Sequence, residues 1–143
     1  MCADDRSDRE RRAGRAALVL AVDDEAEVLA LLEETLQGLP IRLRCVGSAE
    51  EAIRVIDAEV PAVIVSDHGL PGMPGLQLLL RVRARWPRVG AILFTADAEA
   101  RAGADLLPFP VLEKGSPAEA VRAAVSGLLA DRHTSGHGAF PCG

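Results

Sequence analysis

Short apolar runs alternate with longer amphipathic stretches along most of the chain. Five runs have the length and composition of buried strands, at 16–22, 41–46, 62–65, 91–94 and 111–112. Most of the stretches between them carry apolar residues at helical spacing, as in Val28, Leu31, Leu32 and Leu36. Five strand–helix units in strict alternation predict an α/β domain in which helices cover both faces of a parallel sheet.

Local signals set several of the predicted boundaries. Ser48 followed by Glu51 is a capping box, which predicts a helix from there to about residue 58, and a second box begins at Ser116. Arg42 and Arg44 alternate with apolar residues, so the second strand is expected to be an edge strand or a half-exposed one. The segment 96–107 is Ala-rich and short, so the fourth helix is expected to be short or irregular.

Length and composition indicate one globular domain. The chain has 143 residues, and 49% of them are hydrophobic, which is enough for a single sizeable core. Residues 1–15 are mostly charged and are expected to form a disordered leader. Residues 131–143 are rich in Gly, His and Ser and are expected to form a flexible tail, which leaves residues 16–130 as the folded domain.

The charge and the cysteines narrow the class of protein. A net charge of −5 does not indicate the basic surface that nucleic-acid binding usually requires. No apolar run is long enough to span a membrane. Three cysteines far apart in the sequence suit a reducing compartment, so a cytoplasmic location is expected. One basic run is interpreted as the solvated face of the third helix, rather than as a nucleic-acid site: Arg81, Arg83, Arg85, Trp86 and Arg88.

Polar residues with phosphoryl and metal chemistry follow four of the five strands. Asp23 and Asp24 end the first strand, Asp67 the third, Thr95 the fourth and Lys114 the fifth. In a parallel sheet these strand ends share one edge, where ligands bind near the topological switch point. Three carboxylates gathered there favour a cation such as Mg²⁺, and a lysine and a hydroxyl suit a transferring phosphoryl group. An aspartate can itself accept that group as a nucleophile.

The same residues carry a resemblance to a known family, the receiver domains of response regulators in two-component signal transduction. The resemblance covers about residues 16–130, and its blocks occur in the family's order: Val22-Asp23-Asp24-Glu25, Ser66-Asp67 with Leu70-Pro71-Gly72-Met73-Pro74-Gly75, Phe94-Thr95-Ala96, and Glu113-Lys114. It implies a flavodoxin-like (βα)5 fold, a doubly wound parallel sheet with strand order 2-1-3-4-5.

The resemblance also implies a role for each matching residue. Asp67 would be the phosphoacceptor, and Lys114 and Thr95 would contact the phosphoryl oxygens, Thr95 shifting inward as the switch. Asp24 would ligate Mg²⁺ directly and Asp23 would act mainly through water.

Two further ligands of the ion are implied, the Asp67 carboxylate and the backbone carbonyl of Gly69. The donor would be a sensor histidine kinase or a histidine phosphotransfer protein, and the output a downstream protein partner. A homodimer is one open option, and direct contact with nucleic acid or membrane is not expected. The chain ends soon after the fifth helix, so a single-domain signalling or phosphorelay protein is expected, and not an enzyme.

Departures from the family pattern leave alternatives open. Gly115 stands where the family usually has proline, and Val111 where it usually has an aromatic residue. A pseudo-receiver that binds partners without phosphorylation is therefore one alternative. A phosphatase of the haloacid dehalogenase type is another, although its nucleophile would follow the first strand rather than the third.

Overall fold

A computed structural model describes residues 16–96, 102–103 and 106–142, and side chains as far as Asp131. The strands are β1 (Ala17–Val22), β2 (Ile41–Val46), β3 (Val63–Ser66), β4 (Gly90–Thr95) and β5 (Val111–Glu113). The helices are α1 (Ala26–Thr35), α2 (Ala49–Ala58), α3 (Gly75–Arg85) and α4 (Ala118–Cys142). Each predicted strand is present, with its ends within about one residue of the expected positions, because the apolar runs were bounded by strong breakers.

The strands form one parallel sheet in the order β2-β1-β3-β4-β5. The predicted strand order is therefore confirmed, and so is the position of β2 at an edge, where Arg44 and Cys45 are exposed. In the registers at the carboxyl ends, Val22 pairs with both Val46 and Ser66, and Thr95 pairs with Glu113. These registers bring the residues that follow each strand to a common edge.

Helices cover both faces of the sheet. On one face α2 and α3 pack through residues such as Ile56 and Leu78. On the other face α1 and α4 pack through residues such as Leu32 and Val125. The central strands β1, β3 and β4 are buried on both sides, because their residues alternate between these two core layers.

A side-chain cap and a glycine mark helix ends at positions that the sequence indicates. The Ser48 hydroxyl accepts a hydrogen bond from the Glu51 N–H at 3.1 Å, as the predicted capping box requires. The Glu51 carboxylate accepts its bond from the Gly47 N–H, at 2.7 Å, one residue before the cap. Gly38, which follows α1, has a φ of +90° that favours glycine. The Arg122 guanidinium on α4 donates to the Thr35 carbonyl, which ties the end of α1 to the last helix.

Several predictions concern segments at the limits of the described structure. The short helix that the sequence predicts between β4 and β5, which is not α4, lies mostly outside the described residues. The charged leader 1–15 lies entirely outside them. The backbone of α4 is helical as far as Cys142, and the flexibility expected for 131–143 stays a prediction. Within the described ranges, none of the helices combines the length and the apolar character that a membrane crossing requires.

Candidate functional site

The carboxyl edge of the sheet gathers the polar residues predicted from the sequence. Asp23 follows β1, Asp67 follows β3, Thr95 ends β4 and Lys114 follows β5. Asp23, Asp67 and Thr95 are buried, whereas Asp24 is exposed. The parallel topology thus brings together side chains that are more than 40 residues apart in the sequence, as Asp23 and Asp67 are.

Three carboxylates form the acidic centre of this site. One oxygen each from Asp23, Asp24 and Asp67 lies within 4.8 Å of the other two. Oxygen donors at this separation suit a small divalent cation, which would relieve their mutual repulsion. The predicted metal ligands with acidic side chains are therefore close enough to share one ion.

Lys114 lies against three of the carboxylates at this edge. Its Nζ is 2.8 Å from Asp23 Oδ2, 3.2 Å from Glu25 Oε1 and 3.4 Å from Asp67 Oδ1. Burial by itself would lower the pKa of Lys114, but the facing carboxylates outweigh it and raise the pKa above its ordinary value. The ammonium therefore stays charged at neutral pH and partly balances the acidic centre.

Asp23 is the most buried of the three acids, with 1% of its surface exposed. Its Oδ1 accepts a hydrogen bond from the Glu25 N–H at 2.9 Å. Its Oδ2 is fully buried and meets Lys114 at ion-pair distance, but in a direction that does not satisfy hydrogen-bond geometry. Burial raises the pKa of Asp23, with a further contribution from Asp67, although Lys114 and the Glu25 N–H favour the ionised form.

Thr95, at the end of β4, and Gly69, two residues after Asp67 in the loop from β3 to α3, flank the phosphoacceptor candidate. Thr95 is 1% exposed, and its carbonyl accepts a hydrogen bond from the Lys114 N–H at 3.0 Å, which ties the ends of β4 and β5 together. Gly69 is exposed, and a Cβ built on it would lie 3.7 Å from Asp67 Oδ2. Both residues therefore lie at this edge, as the sequence predicted.

The loop from β3 to α3 is held tightly around Asp67. The His68 carbonyl accepts hydrogen bonds from the N–H groups of Leu70 and Gly75, each at 2.9 Å. A Cβ on Gly75 would lie only 1.7 Å from the Asp67 carbonyl oxygen and 2.8 Å from Ser66 Oγ. Only glycine fits there, because α3 begins directly against the backbone of Asp67.

The loop after Lys114 has a backbone conformation that suits the glycine found in place of the family's usual proline. The described residues contain no cis peptide bond, so the bond between Lys114 and Gly115 is trans. Gly115 has a φ of +131°, which residues with a side chain rarely adopt. The glycine found at this position therefore matches the conformation of its loop.

Two contributors to the site were missed by reasoning from the sequence. Glu25 binds Lys114, although the sequence suggested only that it belongs to the acidic block after β1. Gly75 allows α3 to pack directly against the backbone of Asp67. The sequence signal for this role was a glycine directly after Pro74, at the start of the helix. Both roles depend on contacts across the fold, which spacing along the chain does not reveal.

Comparison with known proteins decides the family. The sequence profile described as "Response regulator receiver domain" matches residues 19–125, which include most of β1, all of β2 to β5 and most of the core. The chain belongs to the response regulator receiver family. A receiver domain agrees with the strand order and with the acidic edge of the sheet described above.

Curated relatives of this receiver domain are regulatory proteins. It is 38% identical over 85 residues to the transcriptional activator protein ExaE of Pseudomonas putida, a match that covers 57% of this chain and 39% of that protein. It is 32% identical over 82 residues to the DNA-binding transcriptional regulator NtrC of Escherichia coli K12, covering 57% of this chain and 18% of NtrC. The chain therefore spans well under half the length of these relatives.

Solved structures agree on the fold. The signal receiver domain of an HD domain-containing protein from Pseudomonas fluorescens Pf-5 has a TM-score of 0.79 at 24% identity, covering 87% of this chain and 94% of that one. A putative response regulator from Chloroflexus aurantiacus has a TM-score of 0.72 at 28% identity, covering 80% and 98%. The flavodoxin-like receiver fold is thus shared along most of the described chain.

Proposed function

We propose that Asp67 accepts a phosphoryl group from a phosphohistidine of a sensor histidine kinase or a histidine phosphotransfer protein. The observation that carries the proposal is the 3.4 Å contact between Asp67 Oδ1 and the Lys114 ammonium, beside two further carboxylates. Asp67 is 8% exposed, so its carboxylate keeps a narrow opening toward a donor.

The residues of the site fit Mg²⁺, and the fit rests on the three clustered carboxylates and on the buried Asp23 Oδ2, which lacks a well-directed donor. Asp24 and Asp67 would hold the ion directly, with Asp23 acting mainly through water and Gly69 offering its backbone carbonyl. When bound, the ion would offset the negative charge of the phosphoryl oxygens.

The groups at this edge of the sheet account for the bond that the phosphoryl transfer forms and for the one that it breaks. An Asp67 carboxylate oxygen forms a bond to phosphorus while the P–N bond to the donor imidazole breaks, and its electron pair returns to the imidazole nitrogen. The Lys114 ammonium moves onto a phosphoryl oxygen, and the Thr95 hydroxyl donates to another. Inward movement of Thr95 then changes how the domain binds a downstream protein partner.

Incubation with Mg²⁺ and acetyl phosphate, followed by intact mass measurement, tests this proposal. The wild-type chain should gain the mass of one phosphoryl group, and Asp67→Asn should gain none. An unmodified wild-type chain would favour the pseudo-receiver instead. Steady turnover of simple phosphomonoesters would favour a phosphatase of the haloacid dehalogenase type, whereas we expect no such turnover.

The cytoplasmic location and a homodimer stay predictions.

A further inference from the structure

A groove of about 270 Å³ runs between α2 and α3, on the outer surface of one helical layer. Its floor is apolar and is formed by Ile53, Leu78, Val82 and Trp86. Arg81 and Arg85 line it from α3, and Asp57 lines it from α2. We refer to this feature as the α2–α3 groove, and the phosphoacceptor proposal does not use it.

The α3 side of the groove is strongly basic in an otherwise acidic protein. No Asp or Glu occurs from residue 68 to residue 96, whereas the whole chain has 21 acidic residues and a net charge of −5. Within the part of the chain that the structure describes, no carboxylate lies within ion-pair distance of Arg81 or Arg85. These two guanidinium groups are therefore available to an external partner.

The spacing of the arginines specifies the shape of that partner. Arg81 and Arg85 are four residues apart on α3, so they lie on one face about 6 Å apart along the helix axis. We propose that the α2–α3 groove docks an acidic amphipathic helix of a partner protein. Apolar side chains of that helix would enter the groove, and carboxylates one helical turn apart would pair with Arg81 and Arg85.

A protein helix fits the groove better than a nucleic acid does. One face of the Trp86 ring is closed to a stacking base, because the Arg85 guanidinium lies over it at 4.8 Å from the ring centre. The net charge of −5 repels a long polyanion, but it penalises a short acidic segment much less. The apolar floor contributes to the binding of leucine-like side chains and offers nothing to a phosphate backbone.

Most of the groove lies away from the edge of the sheet that carries Asp67. Each helix starts near the carboxyl end of one strand and returns to the amino end of the next. The charged lining residues Asp57, Arg81 and Arg85 come from the middle and last turns of α2 and α3, whereas Leu78 belongs to the first turn of α3. A partner seated there leaves the phosphoacceptor edge open. We therefore expect docking to be independent of phosphorylation, with the same affinity in Asp67→Asn.

Trp86 is the only tryptophan in the chain, so its fluorescence reports directly on the groove. The probe is a synthetic helical peptide of about 15 residues, with leucines along one face and glutamates one turn apart beside them. Titration into the full chain should give a saturable change in Trp86 emission. Either Arg81→Gln or Arg85→Gln should weaken binding by about fivefold, and the double variant by more.

Matched controls separate the groove from general charge attraction. Arg88→Gln removes the same charge from the same basic run but does not line the groove, so it should bind as wild type does. The same peptide with glutamine in place of glutamate should bind more weakly by a factor of about ten at least. Equal losses in Arg88→Gln and Arg81→Gln would overturn the proposal, as would the absence of a saturable change. Tighter binding of a mixed-sequence single-stranded oligonucleotide to the same arginines would overturn it in favour of nucleic acid.

Discussion

The Lys114 ammonium lies closer to Asp23 Oδ2, at 2.8 Å, than to Asp67 Oδ1, at 3.4 Å. Asp23 is buried, and among the described residues Lys114 is the cation that compensates its charge. A lysine that moves onto a phosphoryl group at Asp67 therefore leaves Asp23 less well compensated. This competition makes Asp23 a source of instability that a bound cation would relieve.

We predict that Asp23→Asn stabilises the metal-free domain, because it removes the cost of burying a carboxylate while Lys114 keeps Glu25 and Asp67 as partners. Burial raises the folded-state pKa of Asp23 above the ordinary value of 3.8, so the folded state binds this proton more tightly than the unfolded chain does. The contribution of Asp23 to stability is therefore favourable at low pH and is lost as pH rises through the folded-state pKa. Urea unfolding in EDTA at several pH values measures the effect.

Asp24→Asn is the matched control for this prediction, because Asp24 is exposed and belongs to the same acidic cluster. It should change the stability of the metal-free domain less than Asp23→Asn does, because its carboxylate is already exposed to water. A loss of stability in Asp23→Asn at neutral pH would contradict the prediction. It would mean that the ion pair with Lys114 outweighs the cost of burying the charge.

We predict that Mg²⁺ raises the thermal unfolding midpoint of the wild-type domain and that EDTA reverses the shift. Binding to the folded state alone stabilises by about 2.7 kcal/mol when free metal is a hundredfold above its dissociation constant. The shift should be lost in Asp24→Asn, which removes one carboxylate of the cluster. Glu27→Gln, an exposed acid of α1 outside the cluster, should keep it. An equal shift in both variants would indicate nonspecific charge screening.

We predict that Gly75→Ala destabilises the domain by about 2 kcal/mol or more and lowers phosphorylation of Asp67. The added Cβ would lie 1.7 Å from the Asp67 carbonyl oxygen, so the start of α3 and the phosphoacceptor loop must separate. Chemical unfolding and the acetyl phosphate assay measure the two effects.

Gly127→Ala provides the matched control, since a Cβ on this glycine of α4 would have nothing within 4 Å. Replacing glycine in an exposed helical position should stabilise by up to about 1 kcal/mol. Equal stability of Gly75→Ala and the wild-type domain would show that α3 does not pack against Asp67 as described.

We predict that Gly115→Ala costs about 1 kcal/mol of stability, and that Gly115→Pro costs more. The φ of +131° is accessible to glycine, is strained for alanine and is incompatible with the fixed φ of proline. Restoring the proline that the family usually has should therefore displace Lys114 and slow phosphorylation. A faster phosphorylation rate in Gly115→Pro would show that the loop can accept the fixed φ of proline without displacing Lys114.

Much of the fold could be predicted because its signals are local. Apolar runs separated by breakers give the strands, and the Ser48–Glu51 capping box gives the start of α2. The candidate site followed from one general property, that the ends of parallel strands share an edge. The segment between β4 and β5 had no strong periodicity, and its helix stays a prediction.

The sequence by itself therefore determined which residues end the strands, and with them the acids and the lysine of the candidate site. The tertiary structure decided how these groups pair, since Lys114 meets Asp23 and Glu25 as well as Asp67. It also decided that Gly75 touches Asp67 and that α2 and α3 leave a basic groove open. Periodicity and capping act within a few residues, whereas these contacts join segments far apart in the chain, and packing alone sets their distances.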